Sequence, residues 1–368
     1  MGARLYLAHA SKSHEALFTQ FASTRQLYDR HGIPRFSPHR YVGYITTPGY
    51  SNGLNKHNSL GFRGEEIPIP KPAGVYRIAC LGGSTTYDSD IKDDRKSFAF
   101  LLQEKLRSNG FPSVDVVNAG AGNYTSWETL INFELRVLDT QPDMILIYDA
   151  LNDVHSRIVW PYDSYKADNS GQRACNKTTP YPFLLEKIAL LRIVAIKLGY
   201  PSPYAALNQQ ILTFSDSSCA KEFIKQKMGG TYPSGLFKTV SVMEILRHNK
   251  PVYFKRNIEN LIYLARSRNI GSVLMTFSSS PLFEKEVVVS SPEYIYALAE
   301  MNECTRVIAG ENNVPLFDLE KVFPMDKQYY TDGRHLNEKG AALKAELVAD
   351  FLTKNHLIPV NSGATPGK

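Results

Sequence analysis

The stretch Val75-Tyr76-Arg77-Ile78-Ala79-Cys80-Leu81-Gly82-Gly83-Ser84-Thr85 is an apolar run that ends abruptly at small residues. A short apolar run bounded by glycines predicts a buried strand, and the glycines predict a tight turn directly after it. That turn carries a hydroxyl group, Ser84. A helical pattern follows, so this segment begins a series of alternating strands and helices.

The alternation continues to the end of the chain. Strands are predicted over 75–81, 113–118, 143–148, 271–277 and 314–317, and helices over 97–108, 126–138, 256–268, 292–310 and 338–352. Strands that alternate with helices predict a parallel sheet that is covered by helices on both faces. The expected fold class is therefore α/β.

The flanking segments and one insertion break this rhythm. Residues 1–72 predict a helix around 13–31 and then an extended or β-rich arm. The main domain is expected over 73–355, and it contains an inserted cap at about 156–250 with one apolar helical piece at 183–198. Insertions of this kind often form lids and substrate walls. The Gly- and Pro-containing tail, 356–368, is expected to be disordered.

Composition excludes several classes of protein. The 368 residues are 43% apolar and 21% charged, and the net charge is +6, with basic residues interleaved among acids. A nucleic-acid partner is not expected, because it would need a clustered basic stripe. No run of 18 apolar residues predicts a membrane span. The beginning lacks a secretory apolar region, so we expect a cytoplasmic protein, or a bacterial envelope protein whose export segment was removed.

The four cysteines are too few for a disulfide scaffold. Cys175 and Cys219 fall in one irregular stretch, and they could form a disulfide in an oxidising compartment. Their spacing fits no zinc motif, and the histidines show no His-x-x-x-His pattern. Neither a metal nor another cofactor is therefore predicted.

Four polar blocks fall at strand ends or before the last helix. They are Ser84 in its turn, Asn118-Ala119-Gly120-Ala121-Gly122-Asn123 after the second strand, Leu151-Asn152-Asp153 after the third, and Asp332-Gly333-Arg334-His335 before the final helix. Open α/β sheets bind ligands at the carboxyl ends of their strands. We therefore expect these blocks to converge in one crevice.

Together the blocks supply what acyl transfer requires. Ser84 would attack a carbonyl carbon, His335 would take the serine proton, and Asp332 would orient and stabilise the imidazole. An oxyanion hole needs preorganised donors. The candidates are the Ser84 backbone N–H, one backbone N–H from Gly122 or Asn123, and the Asn152 side-chain amide.

In these four blocks and their order, the chain resembles the SGNH (GDSL-type) hydrolase superfamily over about 75–355. The stretch Asn58-Ser59-Leu60-Gly61-Phe62-Arg63-Gly64 also resembles a segment found in one bacterial branch of these enzymes. The resemblance implies a three-layer α/β/α sandwich with a parallel flavodoxin-like sheet. It also implies cofactor-free ester hydrolysis through an acyl-enzyme, with small acyl groups, acetyl above all, on carbohydrate or cell-envelope polymers as leading substrates and lipids second.

Two positions depart from the family pattern. Gly83 stands where the eponymous motif has Asp. The second block ends in Asn123 with its glycine one place early, at Gly122. Counted from Asn118, the position of the family's donor glycine falls on Asn123, whereas the glycine itself stands at Gly122. Both residues therefore remain candidates for the oxyanion donor.

Other functions were weighed against ester hydrolysis. An O-acyltransferase would use the same Ser84 with an alcohol in place of water. A catalytically silent glycan-binding relative would have no use for a base that a charge stabilises, so intact Asp332 and His335 argue against it. Residues 120–125 resemble a dinucleotide-binding fingerprint only in part, and the missing third glycine argues against dinucleotide binding. His155, close to Asn152, is expected to have a surface or capping role.

Overall fold

The computed structural model describes residues 2–167, 181–203 and 219–359. Its first part forms three short helices, which are α1 (Gly2–Ser13), α2 (Glu15–Phe21) and α3 (Thr24–His31). The single helix predicted over 13–31 is therefore wrong. Helix α1 ends before His14 and α2 ends before Ser23. The Ser23 side chain accepts a hydrogen bond from the Gln26 backbone N–H, and this capping box starts α3.

Two small antiparallel pairs of strands follow in the segment where the sequence analysis expected an extended or β-rich arm. The first pair is β1 (Phe36–His39) with β2 (Gly43–Thr46), and the second is β3 (Ser51–Asn52) with β4 (Asn55–Lys56). The first pair packs on the loop of the second polar block through Phe36, Tyr44 and Tyr124. The arm thus supports a loop of the main sheet.

A five-stranded parallel sheet forms the centre of the molecule. Its strands are β5 (Tyr76–Gly82), β6 (Val114–Asn118), β7 (Met144–Tyr148), β8 (Gly271–Met275) and β9 (Leu316–Phe317). They lie in the order β6-β5-β7-β8-β9, and every pair is parallel. All five residues of β7 are buried, because helices cover both of its faces. This is the flavodoxin-like strand order, and it confirms the expected fold class.

Helices flank the sheet in two groups. The helices of the described residues are α4 (Ser84–Tyr87), α5 (Phe98–Ser108), α6 (Ser126–Asn132), α7 (Leu151–Arg157), α8 (Phe183–Lys187), α9 (Ala189–Lys197), α10 (Cys219–Met228), α11 (Val242–His248), α12 (Val252–Ser267), α13 (Val287–Ser290), α14 (Pro292–Asn312), α15 (Leu319–Val322) and α16 (Glu338–Lys354). Helices α5 and α16 pack on each other, and α12 packs on α6 and α14. With the sheet between them, these groups form the three layers.

The insertion holds more helix than its sequence predicted. The apolar piece at 183–198 is two helices, α8 and α9, and α10 and α11 were not anticipated. Helix α11 begins with a capping box between Ser241 and Glu244, a signal that the sequence contained. Cys175, the possible partner of Cys219, lies outside the described residues. Among the residues described, no helix is both long and apolar enough to cross a bilayer.

Candidate active site

The turn after β5 sets Ser84 at the carboxyl edge of the sheet. Gly82 has φ of +151°, and a Cβ built on it would lie 2.3 Å from both Thr86 Oγ1 and the Tyr148 carbonyl oxygen. Only glycine fits there, so the strand ends and Ser84 opens α4. Because β5 lies between β6 and β7, Ser84 stands at the switch point where open α/β sheets bind ligands.

Ser84, His335 and Asp332 form one chain of hydrogen bonds. The Ser84 Oγ lies 2.7 Å from His335 Nε2, and His335 Nδ1 lies 2.9 Å from Asp332 Oδ2. The imidazole is 13% exposed, so it is sheltered but open to a ligand on one side. With the proton on Nδ1, the ring donates to Asp332 and its Nε2 accepts from the serine hydroxyl. That polarity suits removal of the serine proton.

The loop that carries Asp332 holds its carboxylate in the ionised form. Backbone N–H groups of Arg334 and His335 donate to Asp332 Oδ1 at 3.1 Å and 2.8 Å. Burial alone would raise the pKa of Asp332, but the hydrogen bond and charge of His335, with the nearby Arg334, hold it well below its usual range. A carboxylate that stays ionised can stabilise an imidazolium.

Asn152 lies against the nucleophile turn. Its Nδ2 donates to the Tyr124 carbonyl at 2.8 Å, and an amide nitrogen has a second hydrogen to offer. A Cβ built on Gly83 would come within 2.7 Å of the same Nδ2. The departure at Gly83 therefore has a steric consequence, because the small residue leaves room for the amide of Asn152.

Gly122 and Asn123 differ in their surroundings. Gly122 is buried against the Phe36 ring, 3.1 Å from a built Cβ, and its carbonyl accepts a hydrogen bond from the Tyr44 hydroxyl. Asn123 is half-buried with φ of +62°, in the left-handed region that asparagine tolerates. It directly precedes Tyr124, whose carbonyl holds Asn152.

Sequence reasoning missed a second carboxylate beside the imidazole. Asp90 Oδ2 lies 3.8 Å from His335 Nδ1 and accepts a hydrogen bond from the Thr331 hydroxyl. Asp90, Asp332 and His335 lie close enough to hold a cation. A metal there would have to displace the bond between His335 and Asp332, so it would compete with the hydrogen-bond chain.

Arg63, in the segment 58–64, connects the arm to the nucleophile turn. Its guanidinium is buried and donates to the carbonyl oxygens of Tyr87 at 2.7 Å, Asp88 at 2.6 Å and Ile91 at 2.6 Å. These carbonyls belong to the exit of α4 and to the loop that bears Asp90. The signal in the sequence was the glycine-flanked arginine itself, but its partners could not be identified before the fold was known.

The sequence analysis expected a surface or capping role for His155, but the residue does not lie at the surface. Its side chain is buried, and its Nδ1 is 2.6 Å from the hydroxyl of Tyr294. Tyr294 lies on α14, which packs on α7, so the imidazole links two helices of the core. That contact accounts for His155 without a catalytic role.

Comparison with known proteins gives solved structures of low identity. No protein-family model and no curated protein matches this chain. It is similar to a lipase/acylhydrolase from Enterococcus faecalis, with 15% identity, 76% of this chain and 97% of that chain covered, and a TM-score of 0.44. It is also similar to a lipolytic protein of the G-D-S-L family from Desulfitobacterium hafniense, with 13% identity, 75% of this chain and 99% of that chain covered, and a TM-score of 0.41. A third similar structure is an acetyl xylan esterase, with 16% identity, 76% of this chain and 98% of that chain covered, and a TM-score of 0.42.

At these identities and TM-scores, the similarity carries no argument about activity or substrate. The strand order and the position of Ser84 at the switch point come from the chain itself. They are those of the three-layer α/β/α sandwich with a flavodoxin-like sheet that the sequence analysis predicted.

Proposed function

We propose that this chain is a serine ester hydrolase of the SGNH superfamily. The observation that carries the proposal is the continuous chain of hydrogen bonds from Ser84 through His335 to Asp332, at 2.7 Å and 2.9 Å. A structural role does not require a nucleophile, a base and an orienting acid in this sequence of contacts, whereas acyl transfer does.

The reaction has two halves. Ser84 Oγ attacks the ester carbonyl carbon while its proton moves to His335 Nε2, and Asp332 stabilises the imidazolium that forms. The tetrahedral oxyanion accepts hydrogen bonds from the Ser84 backbone N–H, from Asn152 and from one backbone N–H of the second block. His335 then protonates the leaving alcohol. A water molecule, activated by the same imidazole, hydrolyses the acyl-enzyme and restores Ser84.

Of the two candidates in the second block, Asn123 is the donor that the surroundings favour. Gly122 is packed under Phe36 and tied through its carbonyl to Tyr44. Asn123 is partly accessible and adjoins Tyr124, the residue that holds the Asn152 amide beside Gly83. Its left-handed backbone turns the chain at this point.

The cavity at Ser84 favours small acyl groups. It is a shallow recess with room for little more than one water molecule, and Tyr148 and Phe277 are among its lining residues. These two rings stack with centroids 5.3 Å apart, and both are buried in the core. A rigid aromatic wall beside the nucleophile suits an acetyl group better than a long acyl chain. Acetyl esters of carbohydrate or envelope polymers are the substrates proposed from the family resemblance.

We also propose the domain division of the sequence analysis. Residues 1–72 serve as an arm that supports the site, and 73–355 form the hydrolase domain with a cap at about 156–250. Of the tail expected over 356–368, residues 360–368 lie outside the described part of the chain, and Ile358 is buried in the core. The contacts of Arg63 with the end of α4, and of Tyr44 with the second block, support a role of the arm in the site.

Intact mass measured after reaction with a fluorophosphonate probe tests the proposal. The wild-type chain should gain one adduct, Ser84→Ala should gain none, and the matched variant Thr85→Ala should still be labelled. A series of p-nitrophenyl esters from acetate to octanoate then tests acyl length. Labelling that persists in Ser84→Ala would refute the nucleophile, and a preference for octanoate would refute the small-acyl proposal alone.

A further inference from the structure

The outer face of α8 and α9 is apolar, and among the residues that the structure describes nothing covers it. Eight large apolar side chains between residues 183 and 200 are exposed, with exposed fractions from 42% at Tyr200 to 82% at Leu198. Phe183, Leu184 and Leu190 are each at least 60% exposed. Leu190, Val194 and Leu198 are four residues apart and therefore share one side of the helical segment, and exposed apolar patches on a soluble protein mark interaction sites. We call residues 183–200 with these side chains the outer apolar face.

Two charged side chains of the same segment, Arg192 and Glu186, point inward. Arg192 is 2% exposed, and it donates from Nε to the Phe21 carbonyl and from Nη1 to the Leu185 carbonyl, both at 2.7 Å. The Glu186 carboxylate accepts from the first backbone N–H groups of α3 at 3.0 Å and 3.1 Å. A surface helix in water normally places its charges outward and its leucines inward. Here Ala189, Ile193 and Ile196 pack inward against α1 and α2, and further large apolar side chains also cover the outer side, so the segment is apolar on both sides.

The charges that remain exposed on this segment identify the kind of partner. They are Lys187, at the end of α8, and Lys197, at the end of α9. Helices of five and nine residues are far too short to span a bilayer, which takes about 20 residues. An apolar face with lysines beside it is typical of helices that lie in the headgroup region of a membrane with anionic lipids.

We propose that the outer apolar face binds the surface of a bilayer that contains anionic lipids. Leu190, Val194 and Leu198 enter the boundary between headgroups and acyl chains, and Lys187 and Lys197 contact lipid phosphates. This inference is independent of the hydrolase activity. It assigns to the insertion a membrane-docking role, and it expects the same binding in a chain whose Ser84 is replaced.

Sedimentation with vesicles tests this directly. The full chain should partition to vesicles of phosphatidylcholine with 30% phosphatidylglycerol about 25-fold more strongly than to phosphatidylcholine alone, given roughly 1 kcal/mol for each lysine at an anionic surface. Leu190→Gln/Val194→Gln/Leu198→Gln should lower partitioning at least about ten-fold. Lys187→Gln/Lys197→Gln should abolish the preference for anionic lipid. A matched control, Val252→Gln/Val307→Gln/Val322→Gln, changes three exposed valines on other helices and should bind as the wild type does.

Two results would overturn the proposal. One is equal partitioning of the wild-type chain and the Leu190→Gln/Val194→Gln/Leu198→Gln variant. The other is a concentration-dependent dimer in sedimentation velocity that this variant abolishes, while vesicles bind neither protein, because the face would then join two copies of the chain. Thermal unfolding of all variants checks that none of the exposed substitutions has altered the fold.

Discussion

Replacing Gly83 by alanine tests the role of Asn152 without touching Asn152 itself. The new Cβ would lie 2.7 Å from Asn152 Nδ2 and 3.1 Å from the Tyr124 carbonyl oxygen. Gly83 has φ of −84° and ψ of −150°, so it does not lie in the left-handed region that favours glycine. The amide is the end of a flexible side chain, so it must move by about 0.8 Å or more to restore ordinary contact distances of about 3.5–4.0 Å. The fold should tolerate this change, and the oxyanion hole should not.

Loss of one oxyanion donor costs about 10²–10³ in kcat, and a displacement near 1 Å can cost about 10². We therefore expect Gly83→Ala to lose roughly 30- to 100-fold in kcat on p-nitrophenyl acetate, with KM within a few-fold. In the double variant Gly83→Ala/Asn152→Ala, the alanine at position 83 should add almost nothing. Gly310→Ala, where a Cβ meets no atom within 4 Å, is the matched control.

Full additivity of Gly83→Ala and Asn152→Ala would refute this reasoning, because the two changes would then act on separate steps. An increase in KM with kcat intact would do the same, since Asn152 would then contact the substrate in the ground state.

Substitutions at three further residues give distinct expectations. Asn152→Ala should leave KM within a few-fold and lose about 10²–10³ in kcat, and Asn152→Asp should be worse, because a carboxylate repels the developing charge; steady-state kinetics measure both. His335→Ala should lower kcat by roughly three or more orders of magnitude, and near-normal turnover would place the base elsewhere. Burial, aided by the nearby Arg63, lowers the pKa of His57 to about 4 from its usual 6.5, so the neutral ring contributes stability above pH 6.5 that is lost as the pH falls toward 4. This loss amounts to about 3 kcal/mol, and urea unfolding at pH 7 and pH 4.5 should show a smaller decrease for His57→Gln than for the wild type.

The central sheet was predictable because its strands carry their environment in their composition. The strand predicted over 143–148 is observed as Met144–Tyr148, and the one predicted over 75–81 is Tyr76–Gly82. A strand that is buried on both faces must be apolar throughout, so its limits appear in the sequence. The polar blocks were predictable for a related reason, since strand ends in a parallel sheet meet at one edge.

The parts that failed depend on contacts between distant segments. The outer apolar face reads as a single buried helix by composition, yet Arg192 takes the inward position because three backbone carbonyls accept its hydrogen bonds there. Asp90 is an ordinary loop acid until the loop of Asp332 is brought beside it. Neither arrangement has a local sequence signature, because each needs a partner more than a hundred residues away, Phe21 for Arg192 and His335 for Asp90.

The strand order has a consequence for how this protein is made. Ser84 follows the first strand of the sheet, whereas His335 lies beyond the last one, just before α16. Synthesis proceeds from the amino terminus, so a growing chain exposes its serine hydroxyl long before it has an imidazole. In the proposed reaction, a nascent or prematurely ended chain would therefore have a nucleophile without its base, because the contact between Ser84 and His335 needs the loop before α16. Turnover would then report that the chain has been completed and folded at least through His335, and it could serve as a quality test for finished molecules.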